Sequence, residues 1–327
     1  MYNWFRTNKQ IKMDKLRKKI KSFFDLIVHF NNAKICREFL EEQRWQGTPI
    51  CPHCGAVSQK HYKLKTKGEY NGKYKCCECR EVFTVTTGTM FHGSHIPLQK
   101  WFYAIYLFLS HKKGISSIQL AKDINVTQKS AWFMLNRIRY NMYDKLKPIF
   151  EDMTQVDETY VGGRNKGRVK GAQGRSLKTK VPVVGLLSDG MVKSIVVPKT
   201  DRIHLQTIID VYVRKESTVI TDGWQGYSNV KREYNHKVVD HGKHEYVKDG
   251  FHTNSIEGYW SHLKRGIKGI YHKVSKKHLW RYCGEFDFRY NTRKIDDFTK
   301  FVMFAISAYK RLSYRNLLAE CALWGNL

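Results

Sequence analysis

Two Cys-x-x-Cys pairs constrain this chain more than any other feature. Five of its eight cysteines lie between Cys51 and Cys79, and four of them form the pairs Cys51-Pro-His-Cys54 and Cys76-Cys-Glu-Cys79. Each pair can clasp one side of a tetrahedral zinc ion through closely spaced thiolates. The intervening YKLKTKGEYNGKYK alternates and carries Asn71-Gly72, so it reads as two strands joined by a hairpin turn there. Four cysteines make the simplest closed site, with Cys77, His53 and His61 also within reach. Clustered cysteines at this spacing suit metal binding in a reducing compartment better than a disulfide framework. Such a zinc is structural: it shapes a ribbon and performs no reaction.

Charge narrows the partner. Lysine and arginine number 58 against 29 acids, a formal net charge of +29 in 327 residues. An excess of that size repels itself in a compact fold unless a polyanion is the usual partner, which points to nucleic acid. No run of about 18 apolar residues is present to span a bilayer, and the N-terminus lacks the apolar core of a signal peptide, so no membrane partner and a cytoplasmic location are expected.

In chain order, residues 1–22 form a basic arm suited to phosphate contacts. Residues 23–50 form a helical lead-in, and residues 51–92 the zinc ribbon. Pro97 opens an aromatic helix. Residues 97–145 then carry a helix-turn-helix pattern: Leu120 and Ile124 on one helix, small Ala121 at the crossing, Asn125 at a left-handed turn position, and Thr127 capping a second helix. That second helix is expected to present Gln128, Lys129, Ser130 and Asn136 outward to DNA, with Arg137 and Arg139 on phosphates.

From about residue 150 the pattern changes to alternation. MTQVDETYVGG, VPVVGLLSDG and MVKSIVVPK read as three strands, HLQTIIDVYVRK as a helix, STVITDGWQGY and HKVVDH as two more strands, and HTNSIEGYWSHLKRG as a late helix. This is the order of an RNase H-like fold, placed here over residues 150–312 with a tail at 313–327. The fold class is therefore multi-domain α/β. Between Gly162 and Lys180 the chain is rich in glycine and cations and reads as a basic loop.

The late helix sorts its residues. Ile256, Trp260, Leu263 and Ile267 form an apolar stripe, and Asn254, Glu257, Ser261 and Lys264 an adjoining polar edge. In the RNase H-like order, Asp157 on the first strand, Asp222 past the fourth, and Glu257 converge. Carboxylates gathered at one sheet edge repel unless cations lie between them, so the cluster implies two Mg²⁺ (or Mn²⁺) ions, suited to in-line displacement at phosphorus. Lys264, with Arg265 and Lys268 beyond it, is placed to hold a DNA phosphate. No P-loop signature ties the chemistry to ATP.

VDETYVGG, TDGWQGY and HTNSIEGYWSHLKRG, preceded by CPHC, CCEC and FTVTTGTMF, together resemble the bacterial insertion-sequence DDE transposases with an N-terminal zinc ribbon, the ISXO2-like group related to the eukaryotic Merlin transposons. The resemblance spans roughly Cys51 to Arg293. It implies Asp157 and Asp222 as the first two acids and Lys264 as the trailing base. It also implies that the N-terminal part recognises terminal inverted repeats in double-stranded DNA, that target DNA is the second substrate, and that a homodimer or larger assembly forms on the DNA. Members differ over whether the third metal-proximal residue is acidic or asparagine. Glu257 is the better ligand for a hard divalent ion, and Asn254 is its substitute or neighbour. Competing functions are a DNA-binding regulator with an inert RNase H-like part, and a nuclease or resolvase that cuts without joining. Cys36, Cys283 and Cys321 read as buried apolar thiols.

Overall fold

The structure is a computed structural model and describes residues 8–66, 69–143, 149–162, 177, 179–239, 247 and 250–319. Much of the basic loop and the end of the tail, Cys321 included, lie outside the described residues. The chain divides into two compact units, Met1–Asn141 with Ile295–Leu317, and Met142–Lys294 with Leu318–Leu327.

The first unit opens with α1 (Asn8–Lys19), α2 (Phe23–His29) and α3 (Ala33–Trp45). Ser22 and Asp25 close a reciprocal capping box on α2, and Asn32 caps α3, so each start is written in the local sequence. The ribbon follows as β1 (Tyr62–Thr66), β2 (Glu69–Lys75) and β3 (Val82–Phe83), an antiparallel sheet in that order. Asn71-Gly72 is not the hairpin turn. Leu64 pairs with Lys73 and Lys65 with Tyr70, so Asn71 and Gly72 form a bulge inside β2, with Gly72 at φ +88°. Asn-Gly satisfies a positive-φ bulge as readily as a turn, and the apolar register decides between them.

Next come α4 (Leu98–Ser110), α5 (Ser117–Asp123) and α6 (Gln128–Met142). Asn125 takes φ +49°, and the Thr127 hydroxyl accepts the Ser130 N–H at 3.2 Å, giving the helix-turn-helix its tight turn and cap. In the core of this unit Phe30, Phe39 and Phe102 meet edge-to-face, with ring centroids 5.0–5.9 Å apart.

The second unit is a five-stranded mixed sheet. Its strands are β4 (Met153–Gly162), β5 (Lys180–Ser188), β6 (Met191–Val196), β7 (Thr218–Asp222) and β8 (Asn235–Val239), in the order β6-β5-β4-β7-β8. The first three strands run antiparallel, and β7 and β8 join parallel to β4. This is the RNase H-like arrangement. Asp189 at φ +48° and Gly190 at φ +72° make the two-residue turn between β5 and β6. One face of the sheet buries Val156, Val184 and Leu186 against α7 (Arg202–Tyr212). The other buries Val183, Leu187 and Val192 against α8 (Asn254–Gly266) and α9 (Leu279–Asn291).

The chain then returns to the first unit. The sequence pattern extends the RNase H-like part to residue 312, but α10 (Asp297–Ser307) packs on α4 and α3. Phe301 lies 5.2 Å from Phe102 and 6.0 Å from Phe30 between ring centroids, which draws this apolar helix into the aromatic core of the first unit.

Candidate active site and metal centre

Strand alternation sets the first acid. Val156 points into the α7 core, so its neighbour Asp157 points to the opposite face, where α8 lies. Directly across the ladder from Asp157 is Gly185. A Cβ on Gly185 would sit 2.6 Å from the Trp260 ring and 2.9 Å from Ile256, so the glycine lets α8 lie close on the sheet at this register. There the Trp260 indole N–H donates to Asp157 Oδ2 at 2.9 Å, and the Glu158 N–H donates to Oδ1 at 2.8 Å. Two residues earlier on the strand, the Gln155 side-chain carbonyl accepts the Ile256 N–H at 3.1 Å, fastening the first turn of α8.

Asp222 ends β7, the parallel neighbour of β4, and accepts the Trp224 N–H at 3.1 Å. Glu257 stands exposed on the first turn of α8. Asp157 feels the other two acids. Burial pushes the Asp157 carboxyl up to about 6, the negative charge of Asp222 adds to it, and Glu257 adds a smaller share, against the two donors just named. Asn254 is the exposed first residue of α8. Lys264, two turns beyond Glu257, is held below the usual lysine range by burial and by Lys268 and Lys180, while Asp157 draws it back up. Arg265 bonds the Ser261 carbonyl at 3.1 Å, and Lys268 stands exposed on the π-helical turn Ile267–Tyr271 that extends α8.

Carboxylates from a central strand, its parallel neighbour and a packed helix, with a lysine beside them, are a donor set suited to hard divalent cations. The sequence pattern singled out Asp157, Asp222 and Glu257 and missed the side chains that hold Asp157 and α8 in place. Trp260 reads as one member of an apolar stripe, and its place three residues after Glu257, on the border of the polar edge, was the available signal.

The cysteines form the second centre. Among the described residues, Cys51, Cys54, Cys76 and Cys79 have ligand atoms all within 4.8 Å of one another. Cys51 and Cys79 sulfurs lie 3.7 Å apart, and those of Cys54 and Cys76 3.6 Å. A tetrahedron of thiolates about 2.3 Å from zinc has sulfur–sulfur edges of about 3.8 Å, so the cluster fits that ion. Cys77 is engaged elsewhere: its sulfur lies 3.4 Å from His61 Nδ1.

The helix-turn-helix expectation needs correcting at three positions. Gln128 and Lys129 are exposed and Ser130 is half-buried. Asn136, Arg137 and Arg139, expected at DNA, are buried at 1%, 5% and 1% exposure. Arg137 donates to the carbonyls of Leu312, Met90 and His92 at 2.8, 2.8 and 3.2 Å and lies over the Phe133 ring, while burial pushes its pKa down to about 10. Arg139 lies over Phe108, and the Asn136 amide bonds the Trp132 carbonyl. Arg137 and Asn136 answer backbone carbonyls of the interior, and all three side chains are buried away from phosphates.

The strand order β6-β5-β4-β7-β8 defines the class as an RNase H-like fold, and comparison with known proteins specifies the family. Residues 150–291 match the ISXO2-like transposase domain, and residues 32–82 the transposase zinc-ribbon domain. The chain belongs to the insertion-sequence transposases that carry these two domains. It is 28% identical over 277 residues, covering 80% of this chain and 91% of the relative, to an uncharacterized protein in transposable element ISH50 of Halobacterium salinarum. It is 29% identical over 105 residues, 32% of this chain and 84% of the relative, to an uncharacterized transposase-like protein of Haemophilus influenzae. Among solved structures, the Mos1 strand transfer complex aligns over 60% of this chain and 77% of that one, at 11% identity and a TM-score of 0.21.

Proposed function

We propose that this protein is the transposase of an insertion sequence, cutting DNA at the element's terminal inverted repeats and joining the freed 3′ ends to target DNA. The observation that carries this reading is the placement of three acids: Asp157 on β4, Asp222 at the end of its parallel neighbour β7, and Glu257 on α8, the helix that Trp260 ties to the Asp157 carboxylate. Asp157, Asp222 and Glu257 would hold two Mg²⁺ or Mn²⁺ ions, which when bound activate a water or 3′-hydroxyl and stabilise the departing oxygen.

The chain's own residues do the rest. Trp260 and the Glu158 N–H fix the orientation of the Asp157 carboxylate, and Gln155 fixes the helix that carries Glu257. Lys264, with Arg265 and Lys268 following, holds the phosphate beside the acids. Glu257 is the third acid because a carboxylate binds a hard divalent ion better than an amide does, with Asn254 one turn earlier on the same helix edge.

The cysteine cluster holds a structural Zn²⁺. The helix-turn-helix reads DNA through Gln128, Lys129 and Ser130, and the protein works in the cytoplasm, at the nucleoid, as a homodimer or larger assembly that brings two ends together. Among the described residues no helix is long and apolar enough to cross a membrane.

The test mixes purified protein, zinc retained, with a labelled fragment of its flanking element end and a supercoiled plasmid. Label joined covalently to plasmid in Mg²⁺ but not in EDTA is the expected result. Binding without any cut would favour a DNA-binding regulator, and cutting without joining a nuclease.

A further inference from the structure

Trp260 is one of two neighbouring side chains that bond α8 to its surroundings. The other is Tyr259, fully buried in the apolar layer of Val183, Leu187, Leu263 and Phe286. Its hydroxyl donates to Asp287 Oδ1 at 2.6 Å and lies 3.1 Å from the Ser194 hydroxyl. Ser194 donates its own hydroxyl to the same Oδ1 at 2.6 Å and its N–H to Oδ2 at 3.0 Å. A carboxylate with 6% exposure inside an apolar layer is costly unless its oxygens are bonded, and these three donors answer it. Apolar packing alone tolerates a small roll or slide of a helix, whereas short, directed hydrogen bonds accept one placement.

The three residues come from three elements, Ser194 from β6, Tyr259 from α8 and Asp287 from α9. One turn after Asp287, the Asn291 amide bonds the Val192 N–H and carbonyl at 2.8 and 3.0 Å, so α9 is fastened to β6 at two successive turns. Asp157, Gly185 and Ser194 are partners in one row across β4, β5 and β6, and their positions share one face of the sheet. The helix is therefore bonded at both ends of that row, by Trp260 at Asp157 and by Tyr259 at Ser194 and Asp287. At about 100° per residue, Tyr259 lies about 100° to one side of Trp260 around the helix and Glu257 about 60° to the other. A roll that releases Tyr259 thus carries Trp260 and Glu257 with it.

We propose that Asp287 is a positioning residue of the acid site: with Ser194 it holds Tyr259, and so fixes the roll of α8 that presents Glu257 beside Asp157. This rests on the reading of Glu257 as a metal ligand.

The experiment compares full-length wild type, zinc retained, with Tyr259→Phe, Ser194→Ala and the pair. Tyr234→Phe serves as the control, because it removes a tyrosine hydroxyl from Asp210, a 2.9 Å bond at the opposite face of the sheet. The first readout is backbone amide exchange over residues 254–258 with no divalent ion added. Tyr259→Phe should exchange there about threefold faster or more, and Tyr234→Phe at the wild-type rate. The second is Mn²⁺ affinity, read from the electron paramagnetic resonance of the free ion and counted as the binding that Asp157→Asn abolishes. Tyr259→Phe should bind about 3- to 10-fold more weakly, less than the 10- to 100-fold typical of groups bonded to the ligands themselves. Adding Ser194→Ala to Tyr259→Phe should weaken binding no further, since the carboxylate no longer reaches α8. Wild-type exchange and Mn²⁺ affinity in Tyr259→Phe overturn the proposal, as does an equal change in Tyr234→Phe or a further loss in the pair. A wild type that binds no Mn²⁺, with faster exchange still found in Tyr259→Phe, sinks the metal-site reading and leaves the hold on α8 standing.

Discussion

The indole N–H of Trp260 donates to the Asp157 carboxylate at 2.9 Å, and its ring rests where Gly185, the cross-strand partner of Asp157, has no side chain. One contact thus ties the helix bearing Glu257 and Lys264 to the first acid. Trp260→Phe keeps most of the ring and removes the donor. A hydrogen bond to a charged group contributes about 1.5–3 kcal/mol, so Asp157 would then hold its proton to higher pH. The acid limb of the Mg²⁺-dependent cleavage profile should shift upward, with a larger loss at pH 6 than at pH 8. A uniform loss at all pH values would contradict this role.

Asp157 opposes the metal-free fold above neutrality. Its folded pKa, about 6, lies above the ordinary aspartate value near 3.9, so the folded state favours the neutral acid. The stability this group contributes is full below about pH 3.9 and is lost as pH rises through about 6. In EDTA at pH 8, Asp157→Asn should therefore be more stable than wild type by on the order of 1–3 kcal/mol and melt at a higher temperature, and the gap should shrink at pH 4.5. Thermal scans at the two pH values check this, and an equal gap at both would refute it.

Arg137 and Lys129 lie eight residues apart on one helix with opposite duties. Arg137→Ala would leave the carbonyls of Leu312, Met90 and His92 without their donor, each unsatisfied group costing about 1–3 kcal/mol. It should lower the melting temperature sharply or abolish soluble expression. Lys129→Ala, at an exposed position, should leave melting unchanged and weaken binding to the element end. Reversal of the two outcomes would restore Arg137 to the DNA surface.

His61 bridges the two halves of the cysteine cluster. Its Nδ1 accepts the Cys77 N–H at 3.2 Å and its Nε2 donates to the Ala56 carbonyl at 3.1 Å, while the Cys51 N–H donates to that same carbonyl. Residues that orient ligands in this way typically contribute 10- to 100-fold in metal affinity. His61→Ala should release zinc to a colorimetric chelator about 10-fold faster or more, with the circular-dichroism spectrum of the zinc-loaded full chain unchanged. Release at the wild-type rate would show that the histidine only fills space.

Much of this architecture is legible in the sequence because burial repeats at the strand and helix periods. Val156 beside Asp157 is enough to aim the acid away from the α7 core, and Asp189-Gly190 takes the positive-φ turn its dipeptide favours. What escapes is decided by partners distant in the chain. Arg137 is buried by a carbonyl 175 residues later, Asn71-Gly72 becomes a bulge through its pairing with β1, and α10 offers a phenylalanine face that any core would accept. Trp260 escapes for a related reason: its apolar ring and its polar N–H serve different neighbours, and periodicity records only the ring.

The central claim is that Asp157, Asp222 and Glu257 form one metal-dependent site. The most direct measurement compares Asp157→Asn, Asp222→Asn, Glu257→Gln and Asn254→Ala with wild type for binding and cleavage of a labelled element end, in Mg²⁺ and in EDTA. The three acid variants should bind the end within about threefold of wild type, since each leaves the N-terminal unit and the phosphate-holding lysines intact. They should lose product by about a thousandfold or more, and Asn254→Ala should still cut. Mg²⁺-dependent product from Asp157→Asn at the wild-type level would contradict the claim, and product from Glu257→Gln with none from Asn254→Ala would move the third position to Asn254.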